Sequence, residues 1–128
     1  MPSAPQVLEV VRRHAFVLPE ATERISHGSP CFFVGRAPQF ATFVDHRHGT
    51  DSLGIWCAAP VGVQAELVET EPDRFYVPKY VGGRGWIGLH LDRVLDEDEL
   101  AAVLRDAYAT VAPARLRARL EDGDDQPG

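Results

Sequence analysis

Long hydrophobic runs are missing from this 128-residue chain. No apolar stretch approaches the roughly 18 residues needed to cross a bilayer, and no charged N-terminal segment leads into an apolar core and cleavage site. No membrane association and a cytoplasmic location are therefore expected. Cysteine is scarce too, with only Cys31 and Cys57 present. Both sit in apolar, strand-like surroundings, where a reduced thiol behaves as a small buried hydrophobe, so a disulfide-stapled secreted scaffold is not indicated. Internal repeats and a composition break that would divide two domains are also absent. Hydrophobic residues at 45% and charged residues at 25% are ordinary globular values. A single domain over residues 1–120 with an acidic, loose tail at 121–128 is the expected organisation.

The catalytic signatures are missing as well. Ser26, His27 and Ser29 are neighbours in sequence, but adjacent strand residues point to opposite faces, and no nucleophile elbow surrounds either serine. Most carboxylates, including Glu66, Glu69, Glu97 and Asp98, fall on solvent-facing helix positions. His46 and His48 would share a strand face near Asp45 and Asp51 if the strand ran on through them, yet a metal site needs three or four placed ligands, and a polar turn explains the same residues. Gly82-Gly83-Arg84-Gly85 leads into a strand rather than a helix, which is the wrong context for a phosphate-binding loop and the right one for a hairpin connection. No catalytic residue, metal or cofactor is assigned, and enzymatic activity is left without a supporting motif.

What is present is a legible order of elements. Ser3 as N-cap, Pro5 in the first turn and Val7, Leu8, Val10, Val11 and Ala15 at helical spacing predict a helix over 5–16, ended by Leu18-Pro19. Short β-rich runs follow at 23–27, 31–34, 39–45 and 52–57, separated by glycine- and proline-bearing turns too short for parallel crossovers. Leu53, Ile55 and Cys57 alternate with Ser52, Gly54 and Trp56, so one face enters a core. Pro60 and Pro72 bracket a helix over 61–71, and strands are expected at 75–77 and 86–91 around a glycine-rich turn at 80–85. In the last strand Trp86, Gly88 and His90 share the face opposite Ile87, Leu89 and Leu91. Asp96 caps a helix whose stripe is Leu100, Val103, Leu104, Ala107, Tyr108 and Val111, and a short helical turn bearing Arg115, Arg117 and Arg119 follows Pro113. The sum is an α+β two-layer sandwich: an antiparallel sheet with the N- and C-terminal helices on one face and the other face left to solvent or a partner.

Charge narrows the partners. The net charge is −6, but residues 1–93 carry nine Lys/Arg against ten Asp/Glu, while residues 94–128 carry four against nine. The acidity is concentrated at the C-terminal end, leaving cations and aromatics around the hairpin tips: Arg36, Arg47, Lys79, Tyr80, Arg84, Trp86 and His90. Such cations position phosphates, and an exposed aromatic offers a stacking surface, so DNA is the first expected partner. A small molecule or a protein bound by the Tyr80, Trp86 and His90 surface is the alternative. Ordinary solubility chemistry accounts for the same scattered cations.

The order of several segments is similar to the MmcQ/YjbR-like family. Leu18-Pro19-Glu20, His27-Gly28-Ser29-Pro30, Phe33-Val34-Gly35-Arg36 with Phe40-Ala41, Glu71-Pro72-Asp73-Arg74-Phe75, Gly85-Trp86-Ile87 with Leu91-Asp92, and Ala107-Tyr108 through Leu116 carry the resemblance from about Val7 to Leu116. It implies a frataxin-like, double-wing α+β domain, an attribution of DNA binding made for the family largely from shape, and no catalytic motif. Arg36 and Trp86 match recurrent family positions.

Overall fold

A computed structural model describes residues 3–45, 53–92 and 95–124. Its strands are β1 (Ala21–Ser26), β2 (Ser29–Val34), β3 (Gln39–Asp45), β4 (Leu53–Cys57), β5 (Phe75–Tyr76) and β6 (Ile87–His90). They form one antiparallel sheet in the order β1-β2-β3-β4-β6-β5. The helices are α1 (Ala4–Ala15), α2 (Val63–Thr70), α3 (Glu97–Val111) and α4 (Ala114–Asp124). The expected α+β architecture is therefore found. The short turn expected after Pro113 is instead the 11-residue α4, whose Leu116 and Leu120 reach the core.

Local chemistry explains the helix starts. The Ser3 hydroxyl accepts from the Gln6 N–H at 3.3 Å and the Gln6 side chain accepts from the Ser3 N–H at 2.8 Å, closing a capping box that satisfies two orphan donors. Asp96 accepts from the Glu99 N–H at 3.1 Å, and three acidic residues fill the first turn of α3 against its positive dipole end. α1 buries Val7, Val11 and Ala15, one residue per turn, and packs on α3, which lies against β3 and β4.

Register divides the sheet into two faces. Glu23, Phe32, Ala41, Cys57 and Ile87 are cross-strand partners in succession, as are Phe43, Ile55, Leu89 and Phe75. This is the helix-covered face: Phe40 meets Tyr108 of α3 edge-on at 5.7 Å, and Phe32 meets Phe16 at 6.0 Å. The Tyr108 hydroxyl donates to the Pro19 carbonyl at 2.7 Å, fixing the chain between α1 and β1. Glu23 accepts from Arg12 of α1 at 2.7 and 2.8 Å, so a bidentate ion pair ties the first strand to the helix layer.

The opposite face departs from the sequence expectation. It is not a bare surface, because Cys31 (3% exposed), Thr42 (8%) and Trp56 (4%) are all buried. The excursion 77–86 between β5 and β6, with a single 3-10 turn at Gly82–Arg84, brings Tyr80, Val81 and Arg84 beside them. The side-chain amide of Gln64 in α2 pins that excursion, donating to the Gly82 carbonyl at 2.8 Å and the Trp86 carbonyl at 2.6 Å.

Candidate functional site

One row of partners crosses all six strands on the helix-free face: Arg24, Cys31, Thr42, Trp56, Gly88 and Tyr76. Partners in register share a face, so this row follows from the pairing alone. At its far end Tyr76 lies flat over glycine. A Cβ on Gly54 would stand 2.6 Å from the Tyr76 hydroxyl, and one on Gly88 only 2.4 Å from two of the ring carbons. The Trp56 indole N–H donates to the Tyr76 hydroxyl at 2.9 Å, and the His90 ring stacks on Tyr76 at 4.5 Å. Burial pushes the Tyr76 phenol up to about 12, with the bond from Trp56 pulling the other way.

The middle of the row floors a cleft of about 480 Å³ lined by Ser26, His27, Cys31, Gln39, Thr42, Trp56, Tyr80, Val81 and Arg84. One wall is the β1–β2 turn, where His27 and Gly28 both have positive φ (53° and 79°), the geometry of a tight two-residue hairpin turn. The other wall is the excursion after β5, where Tyr80 also adopts positive φ (66°). Two of the three described non-glycine residues in this sparsely populated region thus border the same cleft. Tyr80 is 77% exposed, and its ring leans over Trp56 with centroids 6.3 Å apart at 54°. On the floor, Gln39 donates to the Thr42 hydroxyl, which also contacts the Cys31 sulfur at 3.6 Å. Burial raises the Cys31 pKa, opposed by Thr42, the Ser26 carbonyl and the Arg24 charge. The sulfur is thus held as a thiol, and His27 makes no hydrogen bond to it.

Carboxylate pairing separates most of the arginines, while Arg105 of α3 donates to the Leu120 carbonyl at 3.4 Å and Arg117 of α4 to the Ala112 carbonyl at 2.9 Å. Arg12, Arg13, Arg74, Arg115 and Arg119, on or beside the helix layer, all pair with carboxylates. Arg24, Arg36 and Arg84 form no ion pair with any described carboxylate. Arg24 lies 3.7 Å over the Phe33 ring and donates to the Arg36 carbonyl at 2.7 Å. Arg84 lies 5.3 Å over the Trp86 ring.

Of the seven residues expected from sequence, Tyr80 and Arg84 line the cleft. Trp86 is 5% exposed and supports Arg84 from within, so its ring is a packing platform rather than an open stacking surface. His90 packs on Tyr76 outside the cleft. Arg36 occupies the β2–β3 turn, at the opposite end of β2 from His27, and Lys79 is exposed just before Tyr80; neither borders the cleft. Arg47 falls outside the described residues, as do His46, His48 and Asp51. Among the described residues no three His, Cys, Asp or Glu side chains converge as metal ligands, and no described helix is long and apolar enough to cross a membrane. Sequence reading missed Gln39, Thr42 and Trp56 as cleft-lining residues. The signal for them is the cross-strand register, which alternation within a single strand does not supply.

Fold and cleft together define a small α+β domain with a six-stranded antiparallel sheet, helices packed on one face and a cation-bordered cleft on the other. The sequence profile of the YjbR family matches residues 17–110, and the chain belongs to that family. Among solved structures, the crystal structure of Deinococcus radiodurans protein DR2400, a DUF419 domain, superposes with a TM-score of 0.69 at 17% identity, covering 94% of this chain and 92% of that one. This likeness shows a shared fold. A search among functionally curated proteins returned no match.

Proposed function

We propose that the domain is a non-catalytic binding module whose site is the cleft on the helix-free face and whose ligand is a small molecule carrying negative charge. The observation that carries this reading is the division of the arginines. Five arginines on or beside the helix layer are neutralised by carboxylates, whereas Arg84 in the cleft wall and Arg24 on the same sheet face, outside the lining, have none of the described carboxylates paired to them. In a chain of net charge −6, cations held by aromatic rings instead of carboxylates keep their charge for an incoming anion. A volume of about 480 Å³ suits a small ligand, since such sites run roughly 300–1,000 Å³. The non-catalytic part rests on Cys31 being a protonated thiol with no base bonded to it.

The test is a thermal-shift panel of phosphate monoesters and carboxylates against the wild type, Arg84→Ala and Arg24→Ala. A ligand at a hundred times its dissociation constant stabilises the native state by about 2.7 kcal/mol, and this gain should shrink most in Arg84→Ala, whose side chain lines the cleft, and less in Arg24→Ala, which lies on the same face outside the lining. Shifts of equal size in all three proteins would remove the cleft from consideration.

A second reading, duplex DNA bound along the same face, is favoured by one observation: Arg36 adds a further exposed cation at the end of the face, next to the Arg24 guanidinium. Fluorescence anisotropy over a salt series separates it from the first. Phosphate neutralisation makes affinity fall steeply with salt, and Arg36→Ala should flatten that slope by about one unit. A slope unchanged by Arg36→Ala counts against this reading.

A further inference from the structure

We infer that the cleft's ligand joins a planar ring to its anionic group, the ring lying between Trp56 and Tyr80 and the anion against Arg84. The inference rests on the reading of the cleft as an anion-binding site and adds the ring. Four observations carry it.

The first is the state of Tyr80. A large aromatic residue is 77% exposed on a backbone with φ of 66°. Bulky residues rarely adopt that conformation, and such backbone strain concentrates at ligand clamps. The second is the spacing of the two rings. Their centroids are 6.3 Å apart and their planes tilt by 54°. A flat ring stacked between two others needs about 7 Å, twice a contact distance of about 3.5 Å. An outward shift of Tyr80 by about an ångström and a rotation of its ring would open the slot. The third is asymmetry of support. Trp56 is 4% exposed and anchored by its N–H bond to Tyr76, so Trp56 is the fixed jaw and Tyr80 the adjustable one. The fourth is what lies around the slot. The Gln39 and Thr42 side chains border the floor with hydrogen-bonding atoms for the edge of a heteroaromatic ring, and Arg84 lines the same wall as Tyr80. A ring with polar edge atoms and an attached anion is the chemistry of a nucleotide unit, free in solution or unpaired within a single strand.

The experiment is calorimetric titration of the full chain with adenosine monophosphate, adenosine, ribose 5-phosphate and inorganic phosphate, with tryptophan fluorescence as a second readout. The monophosphate should bind at least tenfold tighter than either adenosine or ribose 5-phosphate and should quench fluorescence. Tyr80→Ala should erase the tenfold advantage over ribose 5-phosphate while leaving ribose 5-phosphate binding itself unchanged. Tyr80→Leu, which keeps bulk and loses the ring, should do the same and guards against a folding defect in the alanine variant. Arg84→Ala should bring the monophosphate down to the affinity of adenosine. Equal binding of the monophosphate and ribose 5-phosphate overturns the ring while the anion-binding cleft stands. Equal binding of the monophosphate and adenosine, or no binding by any probe at millimolar concentration, overturns both. A short single-stranded oligonucleotide that quenches fluorescence more strongly than the mononucleotide, with the same response to Tyr80→Ala, supports the inference and assigns the source to a strand. Binding confined to duplex, with no response to Tyr80→Ala, overturns it.

Discussion

Replacing Gly88 by alanine should destabilise the domain by an amount that depends almost wholly on one other residue. The added Cβ would stand 2.4 Å from two carbons of the Tyr76 ring, so the ring must leave its seat. Inserting atoms into a well-packed site costs about 1–3 kcal/mol, and displacing Tyr76 also breaks the bond from Trp56, worth about 1 kcal/mol. The total of about 2–4 kcal/mol lowers the melting temperature by roughly 8–16 °C, at about 4 °C per kcal/mol for a chain of this length. Tyr76→Ala alone should cost about 2–3 kcal/mol, less than a full core truncation because the residue is only partly buried. In that background the obstacle is gone, and Gly88→Ala should become neutral or stabilise by about 0.5–1 kcal/mol, the usual penalty of glycine in a strand being relieved. Urea denaturation followed by tryptophan fluorescence measures all four proteins, and the coupling should exceed about 2 kcal/mol. Gly54→Ala is the internal contrast. Its Cβ would also stand 3.0 Å from the Leu89 carbonyl, a backbone atom that Tyr76→Ala leaves in place, so the rescue there should be incomplete. Equal costs for Gly88→Ala with and without Tyr76 would refute the reasoning.

Three further outcomes follow from the same geometry. The Tyr76 phenol ionises near 10 in an unfolded chain and near 12 in the folded one. The native state therefore holds that proton more tightly, and the stabilisation is full below pH 10 and lost as pH rises toward 12; Tyr76→Phe should flatten this alkaline loss in melts between pH 9 and 12. Tyr108→Phe should cost about 1 kcal/mol by removing the donor to the Pro19 carbonyl, and an unchanged melting temperature would show that this tether contributes nothing. Both cysteines are buried with raised pKa values, Cys57 fully within the core. An aromatic disulfide reagent should therefore label the native protein slowly, Cys31 before Cys57; fast labelling of Cys57 would contradict its burial.

Much of the architecture is legible in the sequence because local chemistry and tertiary packing agree there. Ser3 and Asp96 cap their helices as expected, the Leu100 to Tyr108 stripe is buried, and 39–45 forms a strand. Alternation fails where both faces of a strand are buried. Residues 40–44 of β3 and all of β4 are buried, so no polar period marks which side meets the helices. The sheet order is likewise hidden, since β6 sits between β4 and a two-residue β5. A strand that short leaves almost no hydrophobic pattern. The cleft is legible only in part for the same reason. Tyr80 and Arg84 stand out as an aromatic and a cation near glycines, whereas Thr42 and Trp56 become neighbours in one site only through cross-strand register. Trp86 misleads because an aromatic beside a glycine-rich turn reads the same whether it faces water or supports the turn from inside.

Gln64 holds both ends of the Gly82 to Trp86 segment through one amide group. Tyr80 and Val81, lying just upstream of that clasp in the cleft wall, are left to vary while Arg84 stays anchored behind it. Relatives exchanging side chains at these two positions would retune which molecules fit without disturbing the charge that draws them in, so selectivity and capture can drift independently under selection.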